Sequence, residues 1–159
     1  MDDLTEEEQR HYWRLRWLSS LHSFADEIAQ TQKWTDPSQS NPHFSFIECM
    51  CCYFDDAGLS DQDSYNERIA RGYLTSAEAN AVAEFHLLAD QYQAPAGDDY
   101  DDRAILDDPA WRNVVEAAQR AQASLLLLLG DPTEVAALTK PLFWERTGYG
   151  FKASYPDPA

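Results

Sequence analysis

Residues 108–130, DPAWRNVVEAAQRAQASLLLLLG, carry the pattern that decides the fold. Asp108 suits the position just before a helix, where a carboxylate accepts from unpaired backbone N–H groups. Pro109 suits the first helical position, since its missing N–H would find no partner there in any case. Asp107 and Asp108 also face the positive end of the helix dipole. Trp111, Val114, Val115, Ala118, Ala121, Leu125, Leu128 and Leu129 recur three and four residues apart, which paints one apolar stripe. Arg112, Asn113, Glu116, Gln119 and Arg120 take the opposite side. The stripe runs into consecutive leucines from Leu125 to Leu129, apolar all round, which predicts a last turn covered on more than one face. Burying each leucine contributes roughly 1.5–3 kcal/mol. The run therefore reads as core, with a partner interface as the alternative for part of it. It is shorter than the ~20 apolar residues that span a bilayer. Gly130 is the expected closing residue.

Working outward, the N-terminal side repeats this logic. Thr5 and Glu8 form a capping box, and Glu6 and Glu7 suit a first turn. Trp13, Trp17, Leu21, Phe24 and Ile28 step by four, four, three and four, widened by Leu18 and Ala25, and predict one amphipathic helix over 6–32. Its aromatics read as core rather than as a binding platform. Residues 35–42, TDPSQSNP, are turn formers. Asn41 and Pro42 are placed to open the next helix, with Phe44, Ile47, Met50, Cys51 and Phe54 buried and Gly58 at its end. Ser60 and Asp63 suggest another capping box, for a short helix through Tyr65 and Ile69 ending at Gly72. Thr75 and Glu78 start a fourth, running to about Gln93, with Ala79, Val82, Phe85, His86, Ala89 and Tyr92 on one side.

Residues 94–108 hold six aspartates and read as an acidic loop anchored by Ile105 and Leu106. Asp131 and Pro132 start a short helix that Pro141 stops. The aromatic tail, 141–159, is expected to lie extended across the bundle or to form a small hairpin. No segment elsewhere alternates as a strand does. The fold class is therefore all-α: a single domain over 1–159, a bundle of five to seven helices with an irregular aromatic tail.

The chain has 159 residues, 28 acids against 12 Lys and Arg, and a net charge of −16. That balance argues against nucleic acid, which is gripped through basic patches, and against anionic membrane surfaces. It favours a basic protein partner, or serves solubility alone. The acidic start and the lack of an apolar leader segment point to a cytoplasmic protein. Cys49, Cys51 and Cys52 are odd in number and crowd one tetrapeptide, so they suggest no disulfide framework and a reducing compartment. A zinc site would want a second cysteine pair, and the neighbouring Glu48, Asp55 and Asp56 would hinder a reactive thiolate.

Two constellations could carry chemistry. His86 and Asp90 stand four apart on one helix and can meet; a carboxylate orienting an imidazole serves a metal or a base, or is an ordinary structural hydrogen bond. Asp98, Asp99, Asp101 and Asp102 fail the calcium-loop pattern, because Arg103 and Ala104 occupy the fifth and sixth places that need an oxygen ligand and glycine. They remain candidates for contact with a basic partner. Trp144, Tyr149, Phe151 and Tyr155 either dock onto the core or offer an aromatic anchor. No phosphate loop, nucleophile elbow, zinc-protease or dinucleotide motif occurs, and no cofactor is expected. The leading expectation is a protein that acts by binding another protein, for example an immunity or inhibitor protein for a basic toxin or nuclease. The alternatives are a helical metal-dependent hydrolase centred on His86 and Asp90, and a homo-oligomer joined through the leucine run or the tail.

Overall fold

The computed structural model describes residues 3–38, 44–147 and 150–158. Helix α1 (Glu6–Ala25) begins at the expected capping box: Thr5 accepts from the Glu8 N–H, and Glu8 accepts from the Thr5 N–H at 2.8 Å. Its stripe of Trp13, Trp17, Leu18, Leu21 and Phe24 is buried. The helix does not continue to residue 32. Asp26 leaves helical geometry (φ −88°, ψ 74°), closes α1 through its N–H to the His22 carbonyl, and caps α2 (Glu27–Lys33) through its side chain to the Ala29 N–H. This kink frees the Ser23 and Phe24 carbonyls, and the Gln30 amide donates to both at 2.9 Å. Gln30 in turn accepts from the Trp111 indole at 3.0 Å. The kink also turns Ile28 outward, 71% exposed, where the unbroken stripe put it inside.

Helix α3 (Phe46–Cys51) is capped by Ser45, several residues after the start that Asn41 and Pro42 suggested; those two lie outside the described residues. The later start shifts the inward face. Phe46, Cys49 and Tyr53 are buried, whereas Phe44, Ile47, Met50, Cys51 and Phe54 are only half-buried. A π-helical turn (Cys52–Asp56) follows, closed by the Ala57 N–H to the Cys52 carbonyl. Helix α4 (Gln62–Ala70) is capped by Asp61 with Ser64 at the third position, one residue on from the expected pair. It ends at Gly72 (φ 77°), where the Tyr73 N–H reaches the Arg68 carbonyl and the Gly72 N–H the Ile69 carbonyl, the bond pattern of a left-handed helix stop.

Helix α5 (Ser76–Gln91) starts at the expected Thr75–Glu78 box. Residues 94–108 are more ordered than a loop: a 3₁₀ turn (Pro95–Gly97) and a short helix α6 (Asp102–Leu106) bury Ile105 completely, while Leu106, the other expected anchor, is half-buried. Helix α7 (Pro109–Leu126) begins at Asp108 as expected and packs antiparallel to α5, joined to it by a Tyr92–Asp108 bond at its start and a Glu84–Arg120 bond further along. Helix α8 (Pro132–Thr139) lies against α1. Strands β1 (Phe143–Thr147) and β2 (Gly150–Ser154) pair antiparallel, so the tail takes the second of its two expected forms, a small hairpin, and is not irregular there. The all-α bundle thus stands, with eight α-helices among the described residues instead of five to seven. The surplus comes from the kink at Asp26 and from α6 within the acidic segment. No helix of the described residues is long and apolar enough to cross a membrane.

The core is aromatic. Trp17, Phe24, Tyr53, Phe85 and Trp111 are at most 2% exposed, and Phe24 sits edge-on to Phe85 at 4.8 Å and to Tyr53 at 6.1 Å. Trp111, Val114, Val115, Ala118, Ala121 and Leu125 close over it from α7. The leucine run does not follow them. Helix α7 ends at Leu126, short of Gly130, which is not in the left-handed region. Only Leu125 continues the stripe. At 100° per residue the next three turn outward, and Leu126, Leu127 and Leu128 are 38%, 88% and 47% exposed. Leu129 comes back, half-buried, against the core.

Candidate functional site

His86 does not pair with Asp90. Its Nδ1 lies 2.9 Å from the Tyr65 hydroxyl, Tyr65 lies 2.7 Å from the Tyr53 hydroxyl, and the Trp17 indole N–H donates to Tyr53 at 3.3 Å. The Ser60 carbonyl is also within bonding reach of the ring. A carbonyl only accepts, so the single N–H of the neutral ring belongs with Ser60 and Nδ1 takes the Tyr65 proton. The donors then run one way, from Trp17 to Tyr53 to Tyr65 to His86. Burial pushes the His86 pKa below 6.5, against the opposing pull of Asp90 and Asp61. Burial likewise pushes Tyr53 up to about 12 and Tyr65 higher still, so both phenols stay neutral. Asp90 is exposed and acts on His86 only through its charge. Among the described residues, no three His, Cys, Asp or Glu side chains are grouped to hold a metal ion.

The acidic segment uses its aspartates locally. Asp98 accepts from the Tyr100 N–H, Asp101 caps α6 through the Ala104 N–H, and Asp108 caps α7 through the Ala110 N–H. Asp102 accepts from the Phe46 N–H at 3.0 Å and so ties α6 to the start of α3; burial raises its pKa. Asp98, Asp99, Asp101 and Asp107 remain exposed nonetheless, beside Tyr100, which is 84% exposed. In the tail, Trp144 lies on β1, paired with Ala153, and Tyr149 lies outside the described residues. Tyr155 packs on the core. The cysteines are free thiols. Burial raises all three pKa values, with Cys52 pushed up to about 12 by burial and then by Asp56, which opposes thiolate chemistry.

Two arrangements left little trace in the sequence. The first is an ionic cluster in the bundle. Arg14 bonds Glu134 through Nε at 2.6 Å and Nη2 at 3.0 Å, Glu78 through Nη1 at 3.0 Å and Nη2 at 2.7 Å, and the Tyr73 carbonyl through Nη1 at 2.9 Å. All five guanidinium N–H groups are thus used. Burial by itself would raise the Glu78 pKa; the Arg14 and Thr75 hydrogen bonds outweigh it and hold Glu78 below 4.5. One cation so fastens α1 to α5 and α8.

The second is a cleft of about 250 Å³ between α1, α2, the start of α3 and the chain around Pro141, Leu142 and Tyr155. It exists because α1 presents Ser19, Ser20 and Ser23 there, with too little volume to fill the gap. Their hydroxyls turn back to backbone carbonyls, Ser20 to Trp17 at 2.6 Å and Ser23 to Ser19 at 3.2 Å. The aromatic wall is Trp34, Phe44 and Tyr155. His22 lies in the cleft with Nε2 3.3 Å from the Asp26 carboxylate, and Nδ1 is buried without a hydrogen-bond partner among the described residues. Lys33 sits 4.5 Å from the centre of the Phe44 ring, and Arg16 lies beside the Tyr155 hydroxyl. A run of serines on a helix that is otherwise aromatic was the one sequence sign of this space.

A family model described as Domain of unknown function (DUF7945) matches residues 10–133. The chain belongs to that family. The DUF7945 match takes in Arg14, Glu78, the Trp17–His86 chain and the serine floor of the cleft, and stops one residue before Glu134. Hairpin and Tyr155 fall beyond it. No curated protein and no solved structure matches the chain.

Proposed function

We propose that this protein acts by binding another protein, using Leu126, Leu127 and Leu128 as the apolar centre of the contact and its negative charge to draw in a basic partner. The observation that carries this reading is Leu127, 88% exposed between two further exposed leucines at the end of α7. Three adjacent exposed leucines are costly in water and mark contact surfaces when grouped. The cations do little to offset the surrounding charge. Arg14 is consumed inside, and Arg10, Arg71, Arg112 and Arg120 each face an acid. The excess of 28 acids over 12 bases therefore lies on the outside, with Asp99 and Tyr100 as one projecting element. Such a surface speeds encounter with a basic protein and competes with any nucleic acid that protein binds, which suits an immunity or inhibitor role in the cytoplasm.

A second reading is supported by the same leucines, which would also join two copies of the chain; the net charge of −16 opposes that association. Light scattering on the purified protein separates the two. A monomer that captures a basic partner, with affinity falling as salt rises and falling at least tenfold in Leu127→Glu, is the expected result. A stable dimer dissolved by Leu127→Glu would favour self-association. Partner binding indifferent to both salt and Leu127→Glu would refute the proposal.

A further inference from the structure

The cleft against α1 brings two cations, Arg16 and Lys33, onto walls that also carry Asp26, Glu48 and Asp56. Arg16 and Lys33 both face it, and among the described residues neither has a carboxylate within ion-pair distance, in a chain where most arginines do. His22 lines the same space, with both ring nitrogens buried and without a hydrogen-bond partner among the described residues. Ser19, Ser20 and Ser23 line the floor and have lone pairs to spare, since each hydroxyl has used only its proton. Trp34, Phe44 and Tyr155 supply flat apolar walls. Two cations beside aromatic walls recognise an anion attached to an apolar body.

We propose that this cleft is a binding site for a small organic monocarboxylate with a flat apolar body, its carboxylate held between Arg16 and Lys33 and its body against Trp34 and Phe44. A single negative charge is favoured over a phosphate dianion because Asp26, Glu48 and Asp56 stand on the same walls and would repel a second charge. The volume of about 250 Å³ lies just under the roughly 300–1,000 Å³ of drug-sized sites and suits a smaller molecule. The site is separate from the leucine surface, so either can fail without the other.

The test is a titration of the uniformly ¹⁵N-labelled full chain with 3-phenylpropionate, followed by amide and indole chemical shifts. Benzylamine and inorganic phosphate serve as comparison probes. Saturable shifts at Ala29, Lys33, the Trp34 indole and Ser45 are expected with 3-phenylpropionate. Affinity should fall at least tenfold in the double variant Arg16→Gln, Lys33→Gln. Neither side chain is in an ion pair among the described residues; the variant gives up the Arg16 contact with the Tyr155 hydroxyl and the Lys33 position over the Phe44 ring, and should melt close to the parent protein. The proposal is overturned by the absence of saturable shifts, by shifts that map away from the cleft, by benzylamine or phosphate binding as tightly, or by a double variant that melts like the parent and binds unchanged.

Discussion

Replacing Arg14 by methionine probes what joins α1 to α5 and α8. The guanidinium occupies a site with Glu78 and Glu134 only 3% and 9% exposed. Removing it leaves two carboxylates in a cavity that had one cation for both. Breaking a buried ion pair from one side costs about 3–5 kcal/mol. At roughly 2–4 °C per kcal/mol for a chain of this size, Tm should fall by about 6–20 °C. Urea and thermal unfolding followed by far-UV circular dichroism would read this directly. The pH dependence supplies an independent sign. In the parent protein Glu78 titrates below 4.5, so its contribution is full above the unfolded value and is lost as pH falls through the folded one. Without Arg14, burial and the neighbouring carboxylate raise the folded value above the unfolded one. The variant's stability should then be fuller in acid and decline as pH rises through the raised value. Adding Glu78→Gln and Glu134→Gln should restore most of the loss, since an uncharged cluster carries no stranded charge. A loss under about 1 kcal/mol with an unchanged pH slope would refute the reasoning.

Further outcomes follow from the same contacts. The neutral His86 ring is favoured by folding, so the parent should lose stability as pH drops below 6.5, until the lower folded value is reached; comparing unfolding curves of the parent and His86→Gln across that range should show a shallower slope in the variant. Tyr53→Phe removes the acceptor of the Trp17 N–H and the donor to Tyr65, and should cost about 1–3 kcal/mol by urea unfolding; a change within error would break the one-way donor chain. Gly58→Ala combines φ +68° with a methyl 3.0 Å from the Arg68 guanidinium and should cost about 1–2 kcal/mol. Leu127→Ser should leave stability within about 0.5 kcal/mol, because that side chain is already in water; a loss above 2 kcal/mol on thermal unfolding would show it to be core after all.

Where a decision was local, the amino-acid order made it. Thr5 with Glu8, Thr75 with Glu78, Asp108 with Pro109 and Asp131 with Pro132 start helices where they stand, because a cap needs only its own first turn. Periodicity placed Trp13, Trp17, Phe24, Phe85 and Trp111 inside, and composition gave the charge. The candidate sites were barely legible. His86 was visible as a residue of interest, but its partners Tyr65, Tyr53 and Trp17 lie 21, 33 and 69 positions away and reach it only through the fold. Arg14 sits next to core tryptophans on α1 and reads as a solvent-side charge until Glu78 and Glu134 arrive from elsewhere in the chain. The leucine run shows the limit most plainly. Hydropathy measures what a side chain would gain by burial, whereas burial itself requires a neighbouring element to cover it. Tertiary packing supplied that cover to Leu125 and withheld it from Leu126, Leu127 and Leu128.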